Sequence, residues 1–291
     1  MATDHITGYL NRLQLKDFSP NTLDAYRRDL RQAEKALGMQ LHQADADDLE
    51  AFVASLHRAG AKGTTIRRKQ AAMRGFFEHL QRKRVRDDDP TKAFEAPKLE
   101  RRQAVFLNAG QVETMLATLG TESPAALRER AIVNTFYFTG ARLAELVALD
   151  VEDLLFEERQ LRVFGKGRKE RWIPMSDQLV AVLRDWLAVH PTGAGPLFVT
   201  VRGERGRVGR DAVAKVVKAV YARAGIDVKK FSTHKLRHTF ATRLVNRKVS
   251  IDKIQKLMGH ASIETTTRYA QTDVGADMAD TLTRALGSGD L

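Results

Sequence analysis

Apolar residues recur at helical steps along most of the chain. Leu23, Tyr26, Leu30, Ala33 and Leu37 advance by three and four, one stripe of an amphipathic helix. Ser19-Pro20 supplies its start and Gly38 its stop. Leu49, Phe52, Val53 and Leu56 predict the inward face of a helix from about Asp47 to Arg58. A further helix, starting near Thr64, turns Ile66, Met73, Phe76, Phe77 and Leu80 inward; its other faces carry Arg67, Arg68, Lys69 and Arg74. The pattern lapses at Arg86-Asp87-Asp88-Asp89-Pro90 and again at Pro97 to Gln103, where proline and dense charge leave little to bury. That composition predicts an exposed linker. Beyond it, Ser123-Pro124 opens a helix that ends at Gly140. The period then changes: Leu161 to Phe164 and Arg171 to Pro174 flank a glycine-rich turn, which predicts a β-hairpin. Helices are predicted over 176–189, 210–224, 233–246, 251–258, 262–269 and 273–286. In the last of these, Val274, Met278, Leu282 and Leu286 form the apolar stripe. The fold class expected is mainly α: a helical domain over 1–90, a linker over 91–104, and an α-rich domain over 105–291 with a small β-hairpin or sheet.

Length and composition fit this division. The 291 residues suggest about two domains of roughly 150 residues. Hydrophobic residues at 43% and charged residues at 29% suit a soluble protein with a real core. No run approaches the roughly 20 apolar residues that a membrane span needs. Met1 to His5 lacks the basic-then-apolar start of a secretory signal. The chain has no cysteine, which excludes disulfides, thiolate metal sites and cysteine nucleophiles and fits a reducing cytoplasm.

Charge changes the picture more. The formal net charge is +12 and the isoelectric point is near 10.0, a balance that favours polyanions, nucleic acid first among them. The charge is also placed. Residues 1–57 are net −3, whereas residues 58–86 hold ten basic residues against one acidic and are net +9. A helix carrying Arg67, Arg68, Lys69 and Arg74 with so few acids among them reads as a phosphate-binding surface.

Four segments pair a reactive side chain with a structural device. In Thr139-Gly140-Ala141-Arg142-Leu143-Ala144-Glu145-Leu146, an arginine follows a helix-ending glycine and starts a new helix. Lys166 sits in the hairpin turn Gly165-Lys166-Gly167-Arg168-Lys169-Glu170. In His234-Lys235-Leu236-Arg237-His238, capped by Ser232 or Thr233, His234 and Arg237 share one helix face. Leu257-Met258-Gly259-His260 leads to Thr265-Thr266-Thr267-Arg268-Tyr269. Taken singly, each has a plain structural explanation. The arginine run Arg202-Gly203-Glu204-Arg205-Gly206-Arg207 reads equally as a surface loop or as a phosphate contact.

In order and together, these segments resemble the tyrosine recombinase (phage integrase) family. TGARLAEL is similar to its arginine motif, GKGRKER followed by two residues and proline to its lysine hairpin, and HKLRHTFAT to its H-x-L-R-H motif. LMGHASIETTTRYA resembles its segment bearing histidine and the nucleophilic tyrosine, and SPNTLDAYRRDL its core-binding helix. The resemblance runs from about residue 6 to residue 270. It implies Tyr269 as nucleophile, Arg142, Arg237 and His260 as donors to the phosphate oxygens, His234 as proton acceptor and Lys166 as general acid. Glu145 would orient the cations. The implied product is a 3′-phosphotyrosine, formed without metal, cofactor or ATP.

The resemblance also implies a C-shaped DNA clamp. Residues 1–90 would be a SAM-like core-binding domain and 105–291 the catalytic domain, with helix 273–286 at its end. Double-stranded DNA with paired half-sites is the expected partner, a homo-tetramer on two sites the expected assembly, and no membrane role is expected. The core-binding helices begin almost at residue 1, so no arm-binding domain is expected. This plan is nearest to Xer-type recombinases, which resolve chromosome or plasmid dimers. A mobile-element recombinase and a type IB topoisomerase-like enzyme stand as alternatives, and a non-catalytic DNA-binding protein as the remaining rival.

Overall fold

Helix starts and stops along the chain are written in side-chain chemistry. In the computed structural model, which describes residues 4–95, 105–165, 169–200 and 205–259, eleven α-helices and three short strands appear among the described residues. The chain divides into two compact units, 1–102 and 103–291.

The first unit holds α1 (His5–Leu15), α2 (Pro20–Leu37), α3 (Ala46–Arg58) and α4 (Gly63–Arg82). Ser19 Oγ accepts the Thr22 N–H, and Gly38 ends α2 with φ at 69°. Asp45 and Asp48 form a reciprocal capping box on α3. Leu10, Leu30, Leu49, Phe76 and Phe77 meet in one core, with α4 against both α1 and α2. Gly75 is needed there: a β carbon would lie 2.1 Å from the Tyr9 hydroxyl.

Two expectations for this unit are corrected. Residues 91–95 of the expected linker are anchored on the first unit by Thr91 and Phe94, with Lys92, Ala93 and Glu95 exposed. A 3-10 turn at Pro90–Ala93 buries Pro90 and Thr91, and Phe94 joins the core. Arg74 donates to the Phe94 carbonyl at 2.9 Å and stacks on its ring, and Gln70 donates to the Glu95 carbonyl at 3.0 Å. The single aromatic Phe94 outweighs the surrounding charge. Residues 96–104 of the expected linker lie outside the described residues.

The cations of α4 do not all face outward. Lys69 was expected on an outward face, but it is 4% exposed. Its ammonium donates to Asp29 Oδ1 at 2.8 Å and to Gln32 Oε1 at 2.6 Å. Arg68 pairs with the other oxygen of Asp29. Asp29 is buried on α2, and each of its carboxyl oxygens is bonded by one of these cations. Arg67 and Arg74 remain on the surface, and among the described residues Arg67 has no ion-pair partner.

The second unit contains α5 (Ala109–Ala117), α6 (Pro124–Thr139), α7 (Leu143–Ala148), α8 (Asp177–Ala188), α9 (Arg210–Arg223), α10 (Thr233–Asn246) and α11 (Ile251–Met258). Strands β1 (Leu154–Leu155), β2 (Gln160–Phe164) and β3 (Glu170–Pro174) form one antiparallel sheet in that order. The hairpin register pairs Leu161 with Ile173 and Val163 with Arg171. Leu161, Val163 and Ile173 are buried on one face against a core that includes Phe136, Leu183 and Trp186. The β1 strand, two residues long, has no period to read, and α5 is too short to stand out. Among the described residues no helix is long and apolar enough to cross a membrane.

The buried ion pair yields a test. Lys69→Met removes one partner and leaves Asp29 with Arg68 alone, so it should destabilise the protein by about 3 kcal/mol. Arg67→Ala, on the exposed side of the same helix, should change stability by less than about 0.5 kcal/mol. Urea denaturation of the two full-length variants checks this; equal, small shifts would remove the structural role given to Lys69.

Candidate active site

The arginine of the TGAR segment is aimed by a helix end and a helix start in succession. Thr139 closes α6, Gly140 turns left-handed at φ 61°, and Arg142 becomes the N-cap residue of α7. A β carbon on Gly140 would come within 2.4 Å of the Phe240 ring on α10. Glycine is therefore required by both conformation and space.

Glu145, one turn into α7, is 4% exposed. Its Oε2 accepts the Arg142 backbone N–H at 2.7 Å, and its Oε1 accepts Arg142 Nη1 at 2.7 Å. Arg171, on β3, adds a parallel pair: Nη1 to Oε1 at 2.9 Å and Nη2 to Oε2 at 2.8 Å. Burial alone pushes this carboxyl up. The bonds from Arg171 and the Arg142 backbone, with the charge of Arg171 and the Arg142 side chain, outweigh it and hold the pKa at about 2. The carboxylate stays ionised at neutral pH.

Three arginines meet at the C-terminus of α11. Arg171 Nε donates to the Leu257 carbonyl at 2.9 Å, Arg237 Nη2 to that of Met258, and Arg142 Nη2 to that of Gly259 at 2.9 Å. Arg237 also donates from Nη1 to the Gly140 carbonyl at 2.5 Å. It is 2% exposed. The last carbonyls of a helix lack intrahelical partners and carry its negative end, which is why cations gather there. Gly259 turns left-handed at φ 60°, and a β carbon there would press on Arg171.

His234 lies in the first turn of α10, near this cluster. Its imidazole keeps an open edge, yet partial loss of hydration pushes its pKa down, and the charges of Arg237, Lys235 and Arg142 push the same way. It is held neutral near pH 7, the form that accepts a proton. His238 crosses its ring edge-on at 4.7 Å. Ser232 stands at the N-cap but makes no side-chain capping bond; its carbonyl accepts the Lys235 N–H at 2.9 Å.

Of the residues singled out from the sequence, Arg142, Glu145, His234 and Arg237 are thus brought together. Lys166, His260 and Tyr269 lie outside the described residues, as do helices 262–269 and 273–286. Arg171 was missed as a site residue, although it ends the GKGRKER segment. Its visible signal was an arginine on the inward strand face, opposite Val163. The arginine run also has an assignable member. Arg207 donates to the carbonyls of Val147 and Leu149 at 2.8 and 2.9 Å and to Asp150 at 2.6 Å, which closes the C-terminus of α7.

Of the four described tyrosines, Tyr26 lies half-buried on α2 and the remaining three are closed off from a substrate. Tyr137 and Tyr221 are buried, and burial pushes the Tyr221 phenol upward. Tyr9 is buried in the first unit.

This site, on a helical unit with one small sheet, matches a known class. A model of the phage integrase family matches residues 105–275, and one of the phage integrase N-terminal SAM-like domain matches residues 6–84. The chain belongs to the phage integrase family, the tyrosine recombinases. It is 36% identical to tyrosine recombinase XerC of Alcanivorax borkumensis, over 88% of this chain and 84% of that one. It is 34% identical to tyrosine recombinase XerD of Yersinia pestis, over 91% of each. In fold it is similar to the XerH site-specific recombinase bound to palindromic difH substrate, with TM-score 0.74, 21% identity, and coverage of 91% of this chain and 79% of that one. It is also similar to the Tn1549 transposon integrase in complex with transposon right end DNA, with TM-score 0.73, 18% identity, and coverage of 92% and 94%.

The Glu145 pairs carry a pH signature. Its folded pKa, about 2, lies below the ordinary 4.5, so its stabilisation is full above about pH 4.5 and is lost as pH falls through about 2. The stability gap between wild type and Glu145→Gln should therefore narrow by about 2 kcal/mol between about pH 5 and about pH 3. Urea midpoints at the two pH values measure it, and a constant gap would mean that the pairs do not hold the carboxylate.

Proposed function

We propose that this chain is an Xer-like site-specific recombinase that cuts and rejoins DNA through a 3′-phosphotyrosine. The carrying observation is the convergence of Arg142 and Arg237 on the helix end that immediately precedes His260. Phosphoryl transfer concentrates negative charge on the non-bridging oxygens, and planar guanidinium donors suit them. Arg142, Arg237 and His260 supply these donors. The Tyr269 oxygen attacks phosphorus as its proton passes to neutral His234. The bond to the 5′-oxygen breaks, and Lys166 gives that oxygen a proton. Glu145 holds Arg142 in place. The new phosphotyrosine bond replaces the phosphodiester broken, so a second 5′-hydroxyl can reverse the step on another strand without ATP.

Arg67 and Arg74, and Arg68 through its exposed edge, would be phosphate contacts of the first domain. The net +9 of residues 58–86 supports this. A homo-tetramer on two sites of paired half-sites, acting in the cytoplasm in resolution of chromosome or plasmid dimers, completes the reading.

Tyr269→Phe should keep half-site binding and lose the covalent protein–DNA adduct on a nicked suicide substrate, while wild type forms that adduct in EDTA without ATP. An adduct from the Phe variant would place the nucleophile elsewhere, and a Mg²⁺ requirement for cleavage would overturn the chemistry.

On this reading the segment after Tyr269 acts between protomers, with packing in cis on its own domain as the alternative. A chain ending at Thr272 should fold and bind one half-site nearly as well as the full chain, yet lose cooperative filling of a second half-site and recombination. Gel-shift titrations on one-half-site and two-half-site DNA measure this. Equal loss on both would place helix 273–286 in its own domain's core.

A further inference from the structure

We infer that Arg171 is a positioning residue that offsets the charge of the Glu145 carboxylate, so that the field of the Arg142 guanidinium reaches the scissile phosphate. The inference rests on the recombinase reading above. Its observations are the bonding and exposure of three side chains. Glu145 is buried and, among the described residues, takes four hydrogen bonds, every one from Arg142 or Arg171. A carboxylate 2.7 Å from one guanidinium in a poorly hydrated place cancels most of that cation's field. Arg142 with Glu145 alone would be a neutral pair and a weak anion site. The second guanidinium leaves the trio with one positive charge, and Arg237 beside it adds another.

Of the two guanidinium groups on Glu145, that of Arg142 is the more exposed. The Arg142 side chain is 39% exposed and that of Arg171 is 13%. Arg171 commits all three of its guanidinium nitrogens inward: Nη1 and Nη2 to Glu145, and Nε to the Leu257 carbonyl. Arg142 keeps Nε outside these bonds. So Arg171 stands behind the carboxylate and Arg142 in front of it. Glu145 aims Arg142, and Arg171 removes the electrostatic penalty of that aiming.

A purely mechanical role would be different: Arg171 would matter only as a strut between β3 and the end of α11. Charge compensation and strut predict opposite results for two substitutions. Arg171→Lys keeps the charge and loses the two-pronged geometry. Arg171→Gln keeps a polar chain and loses the charge.

The experiment is single-turnover cleavage of nicked suicide DNA by the full chain, with half-site binding and thermal midpoint recorded for every variant. Arg171→Gln should slow adduct formation by about 10²-fold, the scale of a misplaced or weakened oxyanion contact. Arg171→Lys should stay within about tenfold of wild type, because the compensating charge remains. In the Gln background, adding Glu145→Gln should recover at least about tenfold, because the uncompensated carboxylate is gone. Lys and Gln variants that are equally slow would overturn the inference, as would a double variant slower than the Gln variant alone. If Arg171→Gln does not fold, the double variant decides, since it removes both buried charges together. Cleavage by it supports compensation; a DNA-binding but inert double variant, or one that also fails to fold, assigns Arg171 to the strut role. Wild-type protein that forms no adduct in the same gel would instead overturn the recombinase reading beneath.

Discussion

The catalytic unit is organised around the unsatisfied carbonyls at the end of α11. Leu257, Met258 and Gly259 each accept from a different arginine, and the three arginines come from β3, α10 and the N-cap of α7. These elements are far apart in sequence. Arg142 lies 117 residues from Gly259, and Arg171 lies 86 from Leu257. A helix end that must find partners, and cations that must be kept close despite repulsion, solve each other's problem. Among the described residues, Glu145 is the carboxylate at the centre that makes the cation cluster tolerable. The result is a short segment, Gly140 to Glu145, fixed in direction from both sides before any DNA arrives.

The first unit uses charge differently. There, Asp29 on α2 is buried and captures Lys69 and Arg68 from α4. The pairing sets how the two helices meet, while Arg67 on the same helix stays outside. A basic run of sequence thus serves two ends, the fold and the surface, and the two are separated by about one hundred degrees of helix per residue. Net charge by itself does not reveal that separation.

Much of the architecture was legible because its determinants are local. Ser19, Gly38, Ser123 and Gly140 mark helix ends by their own hydrogen bonding or backbone freedom, and the structure places those ends beside them. Leu161, Val163 and Ile173 alternate as a half-buried hairpin should. What escaped was long-range. Nothing near Lys69 in sequence announces Asp29, forty residues earlier. Nothing near Phe94 announces that a charged segment folds back onto α4. Arg142, His234 and Arg237 were readable as chemistry through the motifs that contain them. Arg171 was not, since its partners Glu145 and Leu257 lie on other elements.

Arg207 shows how such long-range bonding shapes what the chain can absorb. The backbone closes on itself just before it, with the Thr200 N–H on the Gly206 carbonyl at 3.0 Å and Val199 bridged to Arg207. Arg207 then grips the end of α7, the helix that bears Glu145. Thr200 and Gly206 are thereby held together at the base of the segment that joins them. Its ends are clamped, and doubling its length would cost only about 0.6 kcal/mol in closure entropy. The clamp at Val199, Thr200, Gly206 and Arg207 stands between a change of chain length there and α7, so added residues need not displace Arg142 or alter its reaction.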